Sequence, residues 1–233
     1  MAGEGDVKLL GAAVSPFAVL ARMALEMKGV RYEYVDEDMG NKSELLLRSN
    51  PVHKKVPVLI HHGRPVCESL AIVEFVDEVW DAAGPSILPT VPYQRATARF
   101  WAAYTDGKLF PAYFGIQRAA TETERAEKVR EMVEVISQLE AALANGKKPF
   151  FAGDRVGYLD IVVGCHLFWL EAFSGMFGVA LVDASKTPLF AAWAERFGED
   201  EVASKGVVPG ADKVVEYFKK KRQDNPAAGT AAK

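Results

Sequence analysis

Ser15 is the first residue whose type and position could do chemistry, because it directly precedes Pro16 where a short apolar run gives way to a helical pattern. A serine before a proline is typical of a helix N-cap and needs no further role. The N–H groups and the dipole of a helix start also favour a bound anion such as a thiolate. No cysteine occurs between Ser15 and Ala18, which excludes dithiol exchange, so a thiol used here must come from a ligand.

Two dipeptides further along the chain could bind an extended peptide that carries such a thiol. Val56-Pro57 precedes a predicted strand, where a cis bond would turn the N–H and C=O of Val56 outward for antiparallel pairing with the peptide. A proline in this position is also typical of an edge strand or a turn. Glu68-Ser69 begins a predicted helix, where Ser69 could bind a carboxylate while Glu68 accepts from an ammonium group. The alternative is a plain N-cap beside a solvated glutamate.

Lys42 and Lys55 could bind a second carboxylate at the far end of the same ligand, although each by itself is typical of a solvated surface lysine. Together these positions describe a ligand with an amino-acid head, an extended peptide, a thiol and a distal carboxylate. Glutathione has these four groups. We therefore predict glutathione as the cosubstrate, with Ser15 stabilising its thiolate through a hydrogen bond to sulfur.

The histidines and cysteines indicate no metal site. His61-His62 lies in a predicted turn with no third ligand nearby. His53 lies on the loop before Val56 and is a disfavoured alternative as a general base. Cys67 adjoins the predicted glutathione site, where it could be oxidised or capped by glutathione, or could serve as a small buried hydrophobe.

The elements that would position these residues fall into two halves. Strand patterns cover residues 7–12, 32–38, 57–60 and 66–67, and helical patterns cover 15–29, 43–48 and 69–80. The order βαβ-ββα is that of a thioredoxin-like domain, in which a mixed sheet has helices on both faces, and we assign it residues 1–82. Residues 83–92, rich in glycine and proline, are predicted to be a linker.

Residues 93–223 are predicted to be an all-helical domain. Its helices are expected over Tyr93 to Ala120, from the capping box Thr121–Glu124 to Asn145, from Gly157 through Trp169, and over 187–197 and 212–221. Residues 224–233, rich in alanine, glycine and proline, are expected to be disordered. The predicted fold class is therefore α+β, with a thioredoxin-like N-terminal domain followed by an all-α C-terminal domain.

Composition and charge exclude several function classes. The 233 residues include 28 basic and 31 acidic side chains, interleaved along the chain, for a formal net charge of -3. No basic block indicates a nucleic-acid partner. No apolar run of about 18 residues and no leader pattern indicates a membrane or a secretory route. We expect a cytosolic protein, in which Cys67 and Cys165 are reduced.

Several motifs in this order and spacing resemble those of the plant tau-class glutathione transferases. They are Ser15-Pro16-Phe17-Ala18, Asn41-Lys42-Ser43, the segment Asn50 to Leu59, and Glu68-Ser69, and the similarity extends over essentially the whole chain, including 151–154 and 157–160. The resemblance implies a cytosolic homodimer that conjugates glutathione to hydrophobic electrophiles, in the detoxification of xenobiotics such as herbicides and in stress responses. It also implies Ser15 as the thiol-activating residue and the following glutathione contacts: Lys42, Lys55, Val56, Pro57, Glu68 and Ser69.

The electrophile is expected between the two domains, against aromatic side chains. The family pattern places Phe17 there, and our further candidates are Phe110, Phe114, Trp169 and Tyr217, although aromatic residues at helical spacing are also typical of plain core. Residues 109–118 read LFPAYFGIQR where family members often carry a polar, arginine-containing stretch. This departure leaves the substrate and the local helix geometry open.

Three other functions fit parts of the same pattern. The thiolate could reduce organic hydroperoxides, which would coexist with conjugation. A carrier that binds hydrophobic molecules without turnover would use the same aromatic pocket. A docking module is disfavoured, because every glutathione-contact position of the motif is intact.

Overall fold

A mixed four-stranded sheet organises the first eighty residues in the computed structural model, which describes residues 7–202, 204 and 206–224. The strand order is β2-β1-β3-β4, with β1 parallel to β2 and the other two pairs antiparallel. The elements of this half are β1 (Val7–Gly11), α1 (Pro16–Met27), β2 (Glu33–Asp36), α2 (Glu44–Ser49), β3 (Val58–His61), β4 (Arg64–Cys67) and α3 (Ser69–Val79). This is the predicted βαβ-ββα order.

Helices make up the regular structure of the rest of the described chain. They are α4 (Pro92–Arg118), α5 (Glu122–Gly146), α6 (Tyr158–Gly164), α7 (Leu167–Phe177), α8 (Pro188–Gly198) and α9 (Ala211–Asp224). The main packing pairs are α4 with α5 and α6, α5 with α8, and α7 with α9. The α+β fold class predicted from the sequence is confirmed.

Helices cover both faces of the sheet. Successive side chains of a strand point to opposite faces, and along the central strands apolar side chains are buried on both faces. Leu9 belongs to the main core, which also contains buried residues of α1 and α3. Leu10 belongs to a smaller cluster with Leu46 of α2 and with Val58 and Ile60 of β3. The two faces of β1 therefore hold α1 and α3 on one side and α2 on the other.

Predicted helix caps are present at α1 and α5. Ser15 has the extended N-cap conformation, and its Oγ accepts from the N–H of Ala18 at 3.3 Å. Thr121 caps α5 by accepting from the N–H of Glu124 at 3.1 Å. In a regular capping box the carboxylate of Glu124 would accept from the N–H of the N-cap, Thr121. Here it accepts instead from the N–H of the preceding residue, Ala120, at 2.9 Å.

The hairpin turn is tighter than the predicted strands at 57–60 and 66–67 implied. His62 and Gly63 form it, with φ of 50° and 74°, while Arg64 and Pro65 lie in β4. Turns with two positive φ values match the twist of a hairpin. Proline is tolerated in β4 because this strand is at the edge of the sheet.

The helix predicted to run from Gly157 through Trp169 is instead broken between α6 and α7. A Cβ placed on Gly164 would lie 2.2 Å from the ring of Phe197, so α8 packs directly against the backbone at this point. The hydroxyl of Tyr113 donates to the C=O of His166 at the break, at 3.2 Å. Both contacts come from distant residues, which explains why the local pattern did not indicate the break.

A buried ion pair within the first half anchors the segment that leads to the second half. Lys28 Nζ lies 2.8 Å from Asp77 Oδ1, with side chains 0% and 9% exposed. The same carboxylate accepts from the N–H groups of Ile87 and Leu88, at 2.8 and 2.9 Å. Burial acts to raise the pKa of Asp77, but these hydrogen bonds and Lys28 outweigh it and lower that pKa. The C=O of Ile87 then accepts from the N–H of Tyr158 at the start of α6, at 2.9 Å.

One segment, Tyr158–Phe177, is long and apolar enough to cross a membrane by length and composition, contrary to the expectation that no such run exists. Of its most apolar stretch, 72% is buried inside the protein. Core helices of folded domains have the same property, and α6 and α7 form the centre of the helical half.

The predicted domain boundaries stay predictions. α3 ends at Val79 and α4 begins at Pro92, so the predicted linker 83–92 lies between them except for its last residue. The predicted tail begins on Asp224, the last residue of α9, and residues 225–233 lie outside the described part of the chain.

Candidate active site

Strand register brings three predicted glutathione-binding segments to one end of the sheet. Leu10 of β1 lies opposite Val58 of β3, and Cys67 of β4 lies opposite the same Val58. β1 and β4 both end there, and β3 begins there. The start of α1, the residues before β3 and the start of α3 are therefore neighbours.

A buried glutamate holds the fourth segment, the loop that carries Lys42, at the same end. The carboxylate of Glu37, directly after β2, accepts from the hydroxyl and the N–H of Ser43 at 2.6 and 3.1 Å. The N–H of Glu37 donates to the C=O of Gly11 at 2.7 Å. Lys42 Nζ donates to the C=O of Lys54 at 2.8 Å, which joins this loop to the one before β3.

Asn50 shapes the loop that carries Lys55. It is 3% exposed, and its side chain donates to the C=O of Lys55 at 3.0 Å and accepts from the N–H of His53 at 3.1 Å. Lys55 is exposed, Val56 is half-buried, and the Val56-Pro57 bond is cis. The sequence motif contained Asn50, but its role as the organiser of this loop was not predicted.

The start of α3 differs from the prediction by one residue. Glu68, not Ser69, occupies the N-cap position, with φ 73° and ψ 118°, and Ser69 is the first residue of the helix. Residues with a Cβ rarely adopt this conformation, and it is found most often at functional sites. The Glu68 side chain is 67% exposed beside the helix N-terminus, and its Oε1 lies 3.8 Å from His53 Nε2. This contact links the loop before β3 to the start of α3.

Ser15 can donate a hydrogen bond to a ligand. Its Oγ accepts from the N–H of Ala18, which leaves the hydroxyl hydrogen as a donor. The side chain is half-buried at the N-terminus of α1, so it is reachable and lies at the positive end of the helix dipole. This arrangement is suited to stabilising a sulfur anion.

Three of the predicted electrophile-binding residues form one aromatic cluster next to Ser15. Phe17 contacts Phe110, with ring centroids 4.7 Å apart, and Phe110 contacts Phe114 at 5.0 Å. All three are half-buried, so each presents part of its ring to solvent. The cluster joins α1 of the first half to α4 of the second, where the electrophile was expected.

The other two candidates occupy different positions. Trp169 packs against Phe110 at 5.8 Å but is only 2% exposed, so it offers almost no surface to a ligand. Its indole N–H donates to the C=O of Val14 at 2.9 Å. Tyr217 is half-buried on α9, and its ring contacts Phe218 at 5.3 Å. Phe218 in turn lies 5.7 Å from Trp169.

Asp106 interacts with Glu68 through charge, which no sequence motif indicated. It is half-buried in α4, and burial followed by the negative charge of Glu68 raises its pKa. Asp106 is therefore a candidate second carboxylate for this part of the site. No local motif marks Asp106, because its neighbour belongs to a different element.

His166 lies against the aromatic cluster in the core of the protein. It is 1% exposed, and its ring meets that of Phe17 edge to face at 6.1 Å. Burial lowers the pKa of His166 to about 3. The imidazole is therefore neutral at physiological pH and supplies no positive charge to a thiolate.

Cys67 lies at the edge of the site but is not set up as a reactive thiol. It is half-buried, and its Sγ lies 3.5 Å from the C=O of Ser49. Burial, followed by the charge of Glu68, raises the pKa of the Cys67 thiol, which disfavours the reactive thiolate. Within the described residues, no group of three or more histidine, cysteine, aspartate or glutamate side chains could hold a metal ion.

Two family models match the chain in the order of its two halves. The glutathione S-transferase N-terminal domain matches residues 5–78, and the glutathione S-transferase C-terminal domain matches residues 100–201. Together with the sheet-end site and the aromatic cluster, they define a protein that uses glutathione. The chain belongs to the glutathione transferase family.

Within this family the similarity is to the plant tau class. A probable glutathione S-transferase GSTU6 of Oryza sativa subsp. japonica is 50% identical, over 93% of this chain and 94% of its own length. The tau-class enzyme of mango, Mangifera indica, has a TM-score of 0.88 and 49% identity, over 92% of this chain and 98% of its own. A rice enzyme solved in complex with glutathione, OsGSTU1, has a TM-score of 0.86 and 38% identity, over 95% and 100% of the two chains. The predicted tau-class resemblance is confirmed.

Proposed function

We propose that this glutathione transferase transfers the sulfur of glutathione to hydrophobic electrophiles that bind against Phe17, Phe110 and Phe114. The observation that carries the proposal is the convergence of the four glutathione-binding segments at one end of the sheet, beside that half-buried aromatic cluster. The complex of the rice relative with glutathione supports the same cosubstrate.

Glutathione is held by groups that match each of its ends. Glu68 accepts from its ammonium group, and the N-terminus of α3 with Ser69 binds the adjacent carboxylate. The main chain of Val56 pairs with its peptide, and Lys42 and Lys55 face the distal carboxylate. These contacts fix the cysteinyl sulfur near Ser15.

Catalysis depends on making the thiolate at neutral pH. A free thiol with a pKa near that of cysteine is only about 3% ionised at pH 7. The hydroxyl of Ser15 donates to the sulfur, and the α1 dipole adds to this stabilisation, so the bound thiol loses its proton more readily. The sulfur then forms a bond to the electrophilic carbon. In substitution the leaving group departs with its electron pair, and in addition to a conjugated double bond the neighbouring carbon takes up a proton.

The same thiolate supports a second activity on organic hydroperoxides. Sulfur attacks the peroxide oxygen, the O–O bond breaks, and an alcohol and a glutathione sulfenic acid form. A second glutathione then gives the disulfide and water. Both reactions need the Ser15-stabilised thiolate, whereas a carrier without turnover would need only the aromatic cluster.

We also propose a cytosolic homodimer. Exposed apolar residues on α3 and α4 support the dimer, because Tyr93 is 81% and Phe100 62% exposed on one face of α4. The two unpaired cysteines and the use of reduced glutathione support a reducing compartment, and fractionation of source cells tests this location.

The first experiment compares the wild type with Ser15→Ala. Conjugation of glutathione to a chlorodinitrobenzene is followed across pH, and glutathione affinity is measured on both proteins. We expect Ser15→Ala to bind glutathione but to lose about 10- to 100-fold in rate at neutral pH, with the pH midpoint of the rate moved upward, because a charge-assisted hydrogen bond is removed.

Thr121→Ala is the matched control, since Thr121 is also a hydroxyl N-cap but lies at the start of α5. It should leave the pH profile unchanged. If the wild type binds glutathione but turns over neither this substrate nor a hydroperoxide, the protein is a carrier and not an enzyme.

A further inference from the structure

The peptide unit between Val14 and Ser15 is held at both ends by hydrogen bonds from different halves of the chain. The N–H of Ser15 donates to the C=O of Ala12 at 2.9 Å and closes the turn after β1. The C=O of Val14 accepts from the indole N–H of Trp169, on α7, at 2.9 Å. Because a peptide unit is planar, fixing its N–H and its C=O fixes the orientation of the whole plane.

This orientation determines where the hydroxyl of Ser15 lies. Ser15 has φ -81° and ψ 115°, and its Oγ accepts from the N–H of Ala18 at 3.3 Å. The N–Cα bond of Ser15, about which φ is measured, begins at the nitrogen of the peptide plane that Trp169 holds. A tilt of this plane therefore moves the Oγ of Ser15. Hydrogen bonds weaken steeply on misalignment, and a misplacement of about 1 Å in an active site can lower a rate substantially.

Trp169 is itself held rigidly by the helical half. Its ring stacks on Phe173 at 5.7 Å and 18°, and it packs against Tyr113 of α4 at 5.2 Å and Phe218 of α9 at 5.7 Å. Only 2% of the residue is exposed. The donor of the Val14 hydrogen bond is therefore placed by three helices and has little freedom to move.

We propose that Trp169 is a positioning residue for thiolate formation, whose indole N–H orients the Val14–Ser15 peptide so that the Ser15 hydroxyl reaches the glutathione sulfur. This inference rests on the proposed function, because it assigns Trp169 to the thiolate-forming step of the same site. It replaces the predicted role of Trp169 as an electrophile contact. It also makes the helical half part of the machinery that activates the thiol.

The test is Trp169→Phe, which removes the N–H and keeps an aromatic ring. The pKa of bound glutathione is read from the ultraviolet absorbance of its thiolate, and kcat and both KM values are measured from about pH 5.5 to 9. We expect the thiol pKa to rise by about 0.5 to 1 unit and the rate at neutral pH to fall about three- to tenfold, as for the loss of one hydrogen bond. The rate should recover at alkaline pH, with KM for glutathione changed less than about twofold.

Trp193→Phe is the matched control. Trp193 is also fully buried, and its indole N–H donates to Asp160 at 2.8 Å in the packing of α8 on α6. This variant loses the same kind of hydrogen bond, so it should be less stable but keep the thiol pKa of the wild type. If Trp169→Phe does not fold, benzothienylalanine at position 169 removes the N–H from a ring of the same shape.

Any of four results would overturn the inference. An unchanged thiol pKa in the Trp169 variant would do so, and so would an equal shift in Trp193→Phe, which would indicate general loosening. A raised KM for the electrophile at unchanged thiol pKa would return Trp169 to electrophile binding and leave the proposed function intact. A wild-type bound thiol with the pKa of free glutathione would overturn the proposed function as well.

Discussion

The charge of Glu68, the proposed partner of the glutathione ammonium group, affects a second carboxylate, that of Asp106. The charge of Glu68 contributes to the raised pKa of Asp106, whose half-buried position in α4 is the larger cause. A bound ammonium group would relieve this repulsion, so ligand binding and ionisation of Asp106 are coupled. Affinity for glutathione should therefore fall as pH is lowered through the raised pKa of Asp106, since the protonated side chain no longer attracts the ammonium.

Asp106→Asn tests this coupling. The variant should raise the Kd for glutathione about threefold at neutral pH, because it removes one partly buried attraction. It should also reduce the loss of affinity at acid pH that the wild type shows. Glutathione titrations by calorimetry at several pH values measure both effects.

Glu127→Gln provides the control, since it removes one negative charge from the exposed face of α5. It should leave glutathione affinity unchanged. If Asp106→Asn also left affinity and its pH dependence unchanged, Asp106 would have no part in binding.

At the scale of elements, the start of α6 depends on one carboxylate. Asp160 is fully buried and accepts from the N–H groups of Gly157, Phe151 and Ala152 and from the indole of Trp193, at 3.1, 2.9, 3.0 and 2.8 Å. It therefore joins the helix start to the preceding loop and to α8. The bond from the N–H of Gly157 is the N-terminal capping interaction of α6.

Asp160→Asn should destabilise the protein by about 2–4 kcal/mol, because an amide has one accepting oxygen and turns its NH₂ group toward buried donors. Urea unfolding at fixed protein concentration measures the change. Asp154→Asn is the comparison, since Asp154 pairs with Lys148 at 2.9 Å on the surface and should change stability by less than about 0.5 kcal/mol. Equal effects of the two variants would contradict this account of Asp160.

Much of the fold could be predicted because its signals are local, and the segments predicted to bind glutathione carry local signals of the same kind. Ser15 is followed by Pro16, and this pair indicates a helix start. Val56-Pro57 and Glu68 flank a β-hairpin, and the pairing of its two strands brings both to one end of the sheet. Contacts between distant residues gave no such signal. The break before α7 depends on Phe197 and Tyr113, and neither can be inferred from the sequence near the break.

The same reason explains the site residues that were missed or misplaced. Glu68 takes the N-cap position of α3 through a backbone conformation that no residue pattern indicates. Asp106 interacts with Glu68 across two elements, α4 and the start of α3, which are far apart in the sequence. Trp169 was predicted to line the electrophile site from its residue type, but its burial and its hydrogen bond to Val14 depend on the packing of three helices.

At the scale of the whole molecule, an exposed apolar surface on α3 and α4 supports the proposed homodimer. The exposed residues are Val79 at the end of α3, Val91 at the N-cap of α4, and Tyr93 and Phe100 on α4, which are 42%, 48%, 81% and 62% exposed. Tyr93 and Phe100 are seven residues apart, so they share one face of α4. Exposed aromatic residues grouped in this way are typical of interfaces between subunits.

Phe100→Asp should weaken the dimer about tenfold or more, because it places a charge in an apolar interface. Light scattering after size exclusion should give a mass near twice the 25.5 kDa of one chain for the wild type, and a mass that falls on dilution for the variant. Leu189→Asp, 44% exposed on α8, should leave the mass unchanged. A wild-type monomer at micromolar concentration would refute the proposed dimer.

The hydrogen bonds of Asp77 to the segment between α3 and α4, here called the joint, have a consequence for making chimaeras of these proteins. Asp77 holds the N–H groups of Ile87 and Leu88, and so recognises backbone and not side chains. A chimaera that takes its first half from this chain and its second half from a relative would keep this joint whatever apolar residues the relative has at those positions. Exchange of whole helical halves at this point should therefore be an efficient route to new electrophile preferences, provided that Lys28 and Asp77 stay together.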